Sequence, residues 1–323
     1  MSLSDMQTPL FGSCGAELAR KAERRDIMQT LGKNNVIYFF RPDCRFVYQV
    51  EDGETFWVET DDCYNGLFKK ESDLRTEDVD TSRFDAAVGP IEVRGATTRD
   101  TLCVEVVEIQ LANQGVMVTA KNLGIFGNMI DRPNTKILPI RDGCAVFSAR
   151  IRLPLTPMIG VMGVLPEQGQ FRCTVPGDFG GNMDTKELTV GTKAYFPVFV
   201  DGAGLAVSDL HACMGDGEMS GTGLEIAGRI CLRVSLLKGQ SIRRPVLETP
   251  DAVYTIATKA TFEDALRTAA MDMVCILQRR LGLNFPDAYR LLSAACDIRI
   301  SQVVNGVYTL KARAPKSLLG ANT

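Results

Sequence analysis

The chain has a single histidine and a single tryptophan among 323 residues. His211 is therefore the only imidazole available to a metal or a proton, and a site built from several histidines is excluded. Cysteine is not scarce, with ten copies, but close pairing is. Positions 14, 44, 63, 103, 144, 173, 213, 231, 275 and 296 contain no CxxC, which argues against zinc-finger coordination and for reduced thiols in a cytoplasmic protein. No apolar run approaches the roughly 20 residues needed to span a bilayer, and MSLSDMQTPLFGSCG lacks the basic and apolar regions of a secretory signal. A net charge of −3 supplies no field for nucleic acid or an anionic membrane. Gly124-x-x-Gly127 lacks GxGxxG spacing, and neither a Walker sequence nor a long internal repeat is present.

The remaining composition is that of an ordinary globular protein, 45% apolar and 23% charged. The length calls for several packed lobes. The expected organisation is an N-terminal helical extension (1–34), a β-rich lobe (35–155), a second β-rich lobe with the candidate site (156–250) and a C-terminal α+β part (251–323). Residues 12–32 read as an amphipathic helix stopped by Gly32. From Asn35 onward the pattern is strand: NVIYFF, FVYQVEDGETFWVET with a turn at Asp52-Gly53, Thr101–Ile109, KILPI, AVFSARIRL, AYFPVFV and RICLRVSLL. Lys69–Asp85 reads as a solvated loop. Helical spacing returns at Leu266, Ala270, Met273 and Leu277 after a Thr261/Asp264 cap, with Met271 and Met273 as core filling. A second helix starts near Pro286, and a hairpin turns at Asn305-Gly306. The fold class is α+β, mostly antiparallel β with a sandwich or jelly-roll-like core, a small C-terminal α/β part and an N-terminal helix.

One stretch, Pro176–Gly228, concentrates the chemistry. It opens PGDFGGNMD and reaches SDLHACMGDGEMSGTGLEIAG. Asp209 and His211, two apart in a strand, project from one face. Gly215 and Gly217 allow the chain to fold back, returning Asp216 and Glu218 toward them. One imidazole among Asp184, Asp209, Asp216 and Glu218 is a mixed N/O donor set suited to a divalent cation. A histidine at a strand end is more often a hydrogen-bonded structural residue than a ligand, and spacing alone leaves both readings open.

GGNMD followed by DLHACMGDGE resembles the acetamidase/formamidase family. So do GPIEVRGATTRDTLCVEVVEI, PMIGVMGVLPEQG and DAYRLLSAACDIRISQVVNGVYTLKARAPKSLL, so the resemblance runs from about Asn35 to Leu319. It implies hydrolysis of a small aliphatic amide, of acetamide or formamide type, to carboxylate and ammonia. It further implies Asp184, Asp209 and His211 as ligands of a divalent metal (zinc, with calcium or another hard cation as the alternative), and Glu218 as general base and acid. Asp216 would act as a further ligand or a partner for His211, and Asp62 and Asn182 are substrate-binding candidates. Phe179 and Asn35 stand where relatives often carry histidine, which implies a carboxylate-rich site. The expected partners are a small-molecule amide and a second subunit, most simply in a dimer. Two other readings stay open: a Cys-Glu-Lys amidase using Cys213 or Cys63, and a non-catalytic β-rich scaffold with a structural metal.

Overall fold

The computed structural model describes residues 28–320. Most of the regular secondary structure is β, in a nine-stranded sheet, an eleven-stranded sheet and a two-stranded ribbon, both large sheets being open. Pairing is antiparallel throughout, except where Thr30–Leu31 meets Thr55–Thr60 and Tyr48–Val50 meets Ala87–Val93. The described residues include only three α-helices: Phe262–Leu281, Phe285–Ala295 and the short Lys316–Leu319.

The nine-stranded sheet is built around Thr101–Leu111 and Gly228–Leu237, which pair along nearly their whole length. Leu102, Val104 and Val106 fall on alternate positions, and all three are fully buried. They join Ile230 and Leu232 from the same sheet and Ile159, Val161, Leu205 and Val207 from the other in one apolar core. Burial of this contiguous surface, at about 25 cal/mol per Å², is the main stabilising term. In the eleven-stranded sheet the strand Ala203–His211 is central: Met158–Gly163 pairs with it, as do Ala87–Val93 and Glu225–Ile226. All nine of its residues are buried, so the strand that carries Asp209 and His211 lies wholly within the core.

A smaller core lies under the two longer helices, where Met273, Leu277, Ala288 and Leu292 meet Val253, Ala257, Ala312 and Ala314 of the nine-stranded sheet. Thr261 caps the first helix by accepting from the Asp264 amide, and Gly282 ends it in the left-handed conformation at φ 64°. Asn284 caps the second, with Pro286 in its first turn.

Several expectations require correction. The helix over 12–32 lies mostly outside the described residues, and its described end, Thr30–Leu31, is strand. AVFSARIRL is two short strands, Cys144–Val146 and Arg152–Pro154, folded onto each other across a turn in which Ser148 accepts from the Arg150 and Ile151 amides. The buried helix positions are Ala265 and Ala269 rather than Leu266 and Ala270. Met273 is core, but Met271 is 49% exposed. Lys69–Asp85 is not simply solvated, because its end packs Phe84 against Tyr64 and Phe68.

Candidate functional site

The site forms where the strand Ala203–His211 ends. Its neighbour Met158–Gly163 places Met158 opposite His211 and Ile159 opposite Leu210. On the other side Glu225 is in register with His211, so two buried ionisable side chains face each other across one strand pair. The His211 Nε2 is 3.2 Å from Glu225 Oε1, 3.3 Å from Asp209 Oδ1 and 3.9 Å from Glu218 Oε1. None of these approaches has hydrogen-bond geometry: both imidazole nitrogens, Asp209 Oδ1 and Glu225 Oε2 are buried without a partner. Buried polar atoms are ordinarily satisfied, so the unsatisfied His211 Nε2 and Asp209 Oδ1, side by side, leave capacity for a ligand.

Asp184 arrives from the segment after Gly180–Asn182, and its amide donates to Gly160 O. Its Oδ2 accepts from Asn305 Nδ2 at 2.6 Å, and the same amide nitrogen donates to Asn182 O. With the Asn182 amide turned to satisfy its surroundings, its nitrogen donates to Asp209 Oδ2 at 3.1 Å and Asp184 Oδ2 at 3.2 Å. Glu218 stands on the turn after the strand, where Gly217 N donates to Ser301 O and Val303 N to Gly217 O. The C-terminal hairpin thus holds the loop that carries Glu218.

Backbone strain is concentrated here. Asp184, Asp209 and Glu218 have φ of 44°, 61° and 47°, and Asp85 has 53°, a region that side-chain-bearing residues rarely adopt. At Asp209 the left-handed twist sits inside a strand, opposite Gly160. A β-carbon on Gly160 would lie 2.1 Å from Asp209 Oδ2 and 2.6 Å from Asp184 Oδ1. Gly223 likewise leaves room for the imidazole, since a β-carbon there would meet His211 Nδ1 at 2.5 Å.

Two groups of atoms come within 4.8 Å of one another: Asp184, His211 and Glu218, and Cys63, Asp209 and Glu225. The chain matches the model of the Acetamidase/Formamidase family over residues 25–171 and 168–311. The chain belongs to that family. Two solved structures agree with this assignment. The acetamidase of Bacillus halodurans is 38% identical and superposes with a TM-score of 0.87, covering 90% of this chain and 100% of its own. A predicted acetamidase/formamidase of Thermoanaerobacter tengcongensis is 37% identical with the same TM-score, over 90% of this chain and 97% of that one. The formamidase of Methylophilus methylotrophus is 26% identical over 286 residues, 69% of this chain and 70% of its own length. As a member of the Acetamidase/Formamidase family the chain is an amidohydrolase.

Of the residues singled out in the sequence of this family member, Asp184, Asp209, His211, Glu218 and Asn182 come together. Asp216 does not join them: its carboxylate is held by Lys186 at 2.9 Å and by the fully buried Lys311 at 2.8 Å. Asp62 accepts from the Tyr64 and Gly66 amides and shapes a turn. Phe179 is buried against Phe40 and Phe171, and Asn35 is exposed and bonded to Gly32 O. Neither position contributes to the cluster. Glu225 and Asn305 are members that the sequence reading misses, and Cys63 enters it only as a candidate nucleophile. The signal available for Glu225 was its charge in the otherwise apolar run GLEIAG.

Burial pushes the carboxyls of Asp184 and Asp209 up to about 6, Asp184 further through the charge of Asp209, while His211 opposes both shifts. Glu218 is also driven well up, by burial first and then by Asp184. Burial lowers the proton affinity of His211, but Glu225 and Asp209 outweigh it and leave the imidazole well above its usual value. Crowded, desolvated carboxylates with unpartnered oxygens and an unpartnered imidazole suit a divalent cation of mixed N/O preference. Burial raises the Cys63 thiol well above the usual range, with Glu225 adding to it, and raises Cys213 as well, so neither is set up as a thiolate.

Proposed function

We propose that the chain hydrolyses a small aliphatic amide to a carboxylate and ammonia at this cluster, with a divalent cation held by Asp184, Asp209 and His211. The observation that carries the reading is the buried imidazole, unpartnered at both nitrogens and ringed by carboxylates. Bound there, a divalent cation supplies an acidified water and a polarised carbonyl.

The remaining work falls to the chain's own groups. Glu218 is the proton carrier: its raised affinity lets it take a proton from water and give it to the departing nitrogen. As the carbon–nitrogen bond breaks, a carbon–oxygen bond replaces it and ammonia leaves protonated. Asn182 and Asn305 fix the two aspartates by hydrogen bonds, so that their oxygens stay put during turnover. Asp184, Asp209, His211 and Glu218 are all buried, and a low-dielectric setting strengthens the charge interactions among them. Zinc fits one nitrogen with several oxygens, and a surplus of carboxylates over nitrogen favours a harder cation such as calcium. The apolar core common to the two large sheets supports the description of the body as a sandwich. A homodimer is the assembly we expect, on the general preference for two-fold pairs.

The test contrasts two variants, by elemental analysis and ammonia release. His211→Ala should lose both metal and activity. Glu218→Gln should keep most of the metal while turnover falls by roughly 10²–10⁴-fold. Full activity in metal-free wild-type protein would overturn the metal-dependent reading.

A further inference from the structure

Part of the cluster lines a cavity of about 280 Å³. That approaches the lower end of ligand pockets, roughly 300–1,000 Å³, and exceeds what the four heavy atoms of acetamide fill. Asn182, Asp209, Glu218 and Glu225 line the cavity on the hydrolytic side, and Arg75 and Arg172 also line it. Two guanidinium groups beside so acidic a centre call for an explanation.

Some arginines are answered by carboxylates, as Arg244 is by Asp272 at 2.7 Å and Arg233 by Glu105 at 3.4 Å. Arg75 and Arg172 form no ion pair among the described residues, and Arg172 reaches Asp80 only through its longer-range field. The Arg172 Nη2 donates to a backbone oxygen, that of Thr81, at 2.7 Å. Arg75 lies 5.8 Å from the centre of the Phe84 ring, and its Nε is buried with no acceptor. Neither therefore has a carboxylate at ion-pair distance, although Asp85 lines the same cavity. The planar fork of a guanidinium matches a carboxylate better than any other small anionic group on an acyl chain. Phe84 also lines this cavity and offers an apolar surface for methylenes.

We propose that the substrate is a half-amide of a dicarboxylic acid, with its amide toward Glu218 and its free carboxylate toward Arg75 and Arg172. This rests on the amide-hydrolysis reading above. The reaction is balanced by water alone: the carbon–nitrogen bond breaks, a carbon–oxygen bond forms, and the products are a dicarboxylate and ammonium.

The experiment compares neutral amides with half-amides of equal chain length, propionamide, butyramide and valeramide against malonamate, succinamate and glutaramate, by ammonia release. At least one half-amide should exceed its neutral counterpart in kcat/KM by about 10–100-fold, the worth of a charge-assisted contact. Arg75→Gln and Arg172→Gln should each bring that ratio back toward one, with circular dichroism checking that the variants fold. Should a variant not fold, the wild-type ratio still decides. Neutral amides cleaved as well as or better than every half-amide would overturn the proposal and leave amide hydrolysis standing. Turnover of neither class would overturn the hydrolytic reading and the proposal with it.

Discussion

Gly160→Ala adds one methyl group at the point where the site has least room. The new carbon would lie 2.1 Å from Asp209 Oδ2 and 2.6 Å from Asp184 Oδ1, and 2.9 Å from Asp209 Cγ. Carbon–oxygen contacts settle no closer than about 3.3 Å, so the Asp209 oxygen must retreat by roughly 1.2 Å and the Asp184 oxygen by roughly 0.7 Å. Asp209 cannot yield by a simple backbone adjustment, because it already holds a left-handed φ of 61° inside a strand. A misplacement of this size costs on the order of 10²-fold in turnover. Overpacking costs about 1–3 kcal/mol, offset in part by the roughly 0.4–1 kcal/mol that replacing glycine removes from unfolded-chain entropy. The expected variant is thus folded, melts a few degrees lower, binds the proposed cation poorly and is nearly inactive. Gly215→Ala is the control, since nothing lies within 4 Å of its added carbon. Metal content, ammonia release and thermal melting of the three proteins decide the matter. A Gly160→Ala enzyme with wild-type turnover and wild-type metal content would refute the claim that the two carboxylates must sit where they do.

Other expectations follow from the same reasoning. Lys311→Met removes a fully buried ammonium from between Glu187 at 2.5 Å and Asp216 at 2.8 Å, and should cost about 3–5 kcal/mol in denaturant titration. A loss under about 1 kcal/mol would refute it, and Lys186→Ala on the exposed side of Asp216 should stay within that smaller figure. Burial alone would raise the Asp100 carboxyl, but Lys238, the Gly239 amide and Thr97 hold it down to about 2. A depressed folded value means that this contribution, about 2 kcal/mol, is complete above the unfolded value of 3.8 and is lost as pH falls toward 2. The stability gap between wild type and Asp100→Asn should accordingly be constant above about pH 5 and close on acidification. A gap independent of pH down to 2 would contradict the assignment.

Much of this architecture was legible in the chain because it rests on local rules. Alternation at Leu102, Val104 and Val106 gave a strand face, and Thr261 and Gly282 gave both ends of a helix. Asp209 and His211 were legible as a pair, though for a reason only half right. Two-residue periodicity places them together, yet Asp209 departs from strand geometry to point at the cluster. Asp216 misled because glycine-rich turns bring several carboxylates back without saying which faces inward, and two lysines from other segments claim it. For Glu225 a charge in an apolar run was the one local hint, and Asn305 could not be read from local pattern. One depends on the register of a neighbouring strand, the other on where a distant hairpin comes to rest. The end of the loop Lys69–Asp85 was missed because its charge-rich composition hides one buried ring, Phe84, which anchors it beside the cavity.

The hairpin that delivers Asn305 has a consequence for how the molecule is made. Asn305 meets Asp184 across 121 residues of chain, Ser301 meets Thr185 across 116, and Lys311 meets Glu187 across 124. Closing such long loops is entropically unfavourable and slow, so contacts of this kind form after local strand pairs and helices. The loop that bears Glu218 is tied down by the same hairpin, through Ser301 and Val303. A refolding chain should therefore recover its circular dichroism well before its catalysis, with the lag set by the arrival of the last hairpin. Ammonia release then serves as a clock for the final step of folding.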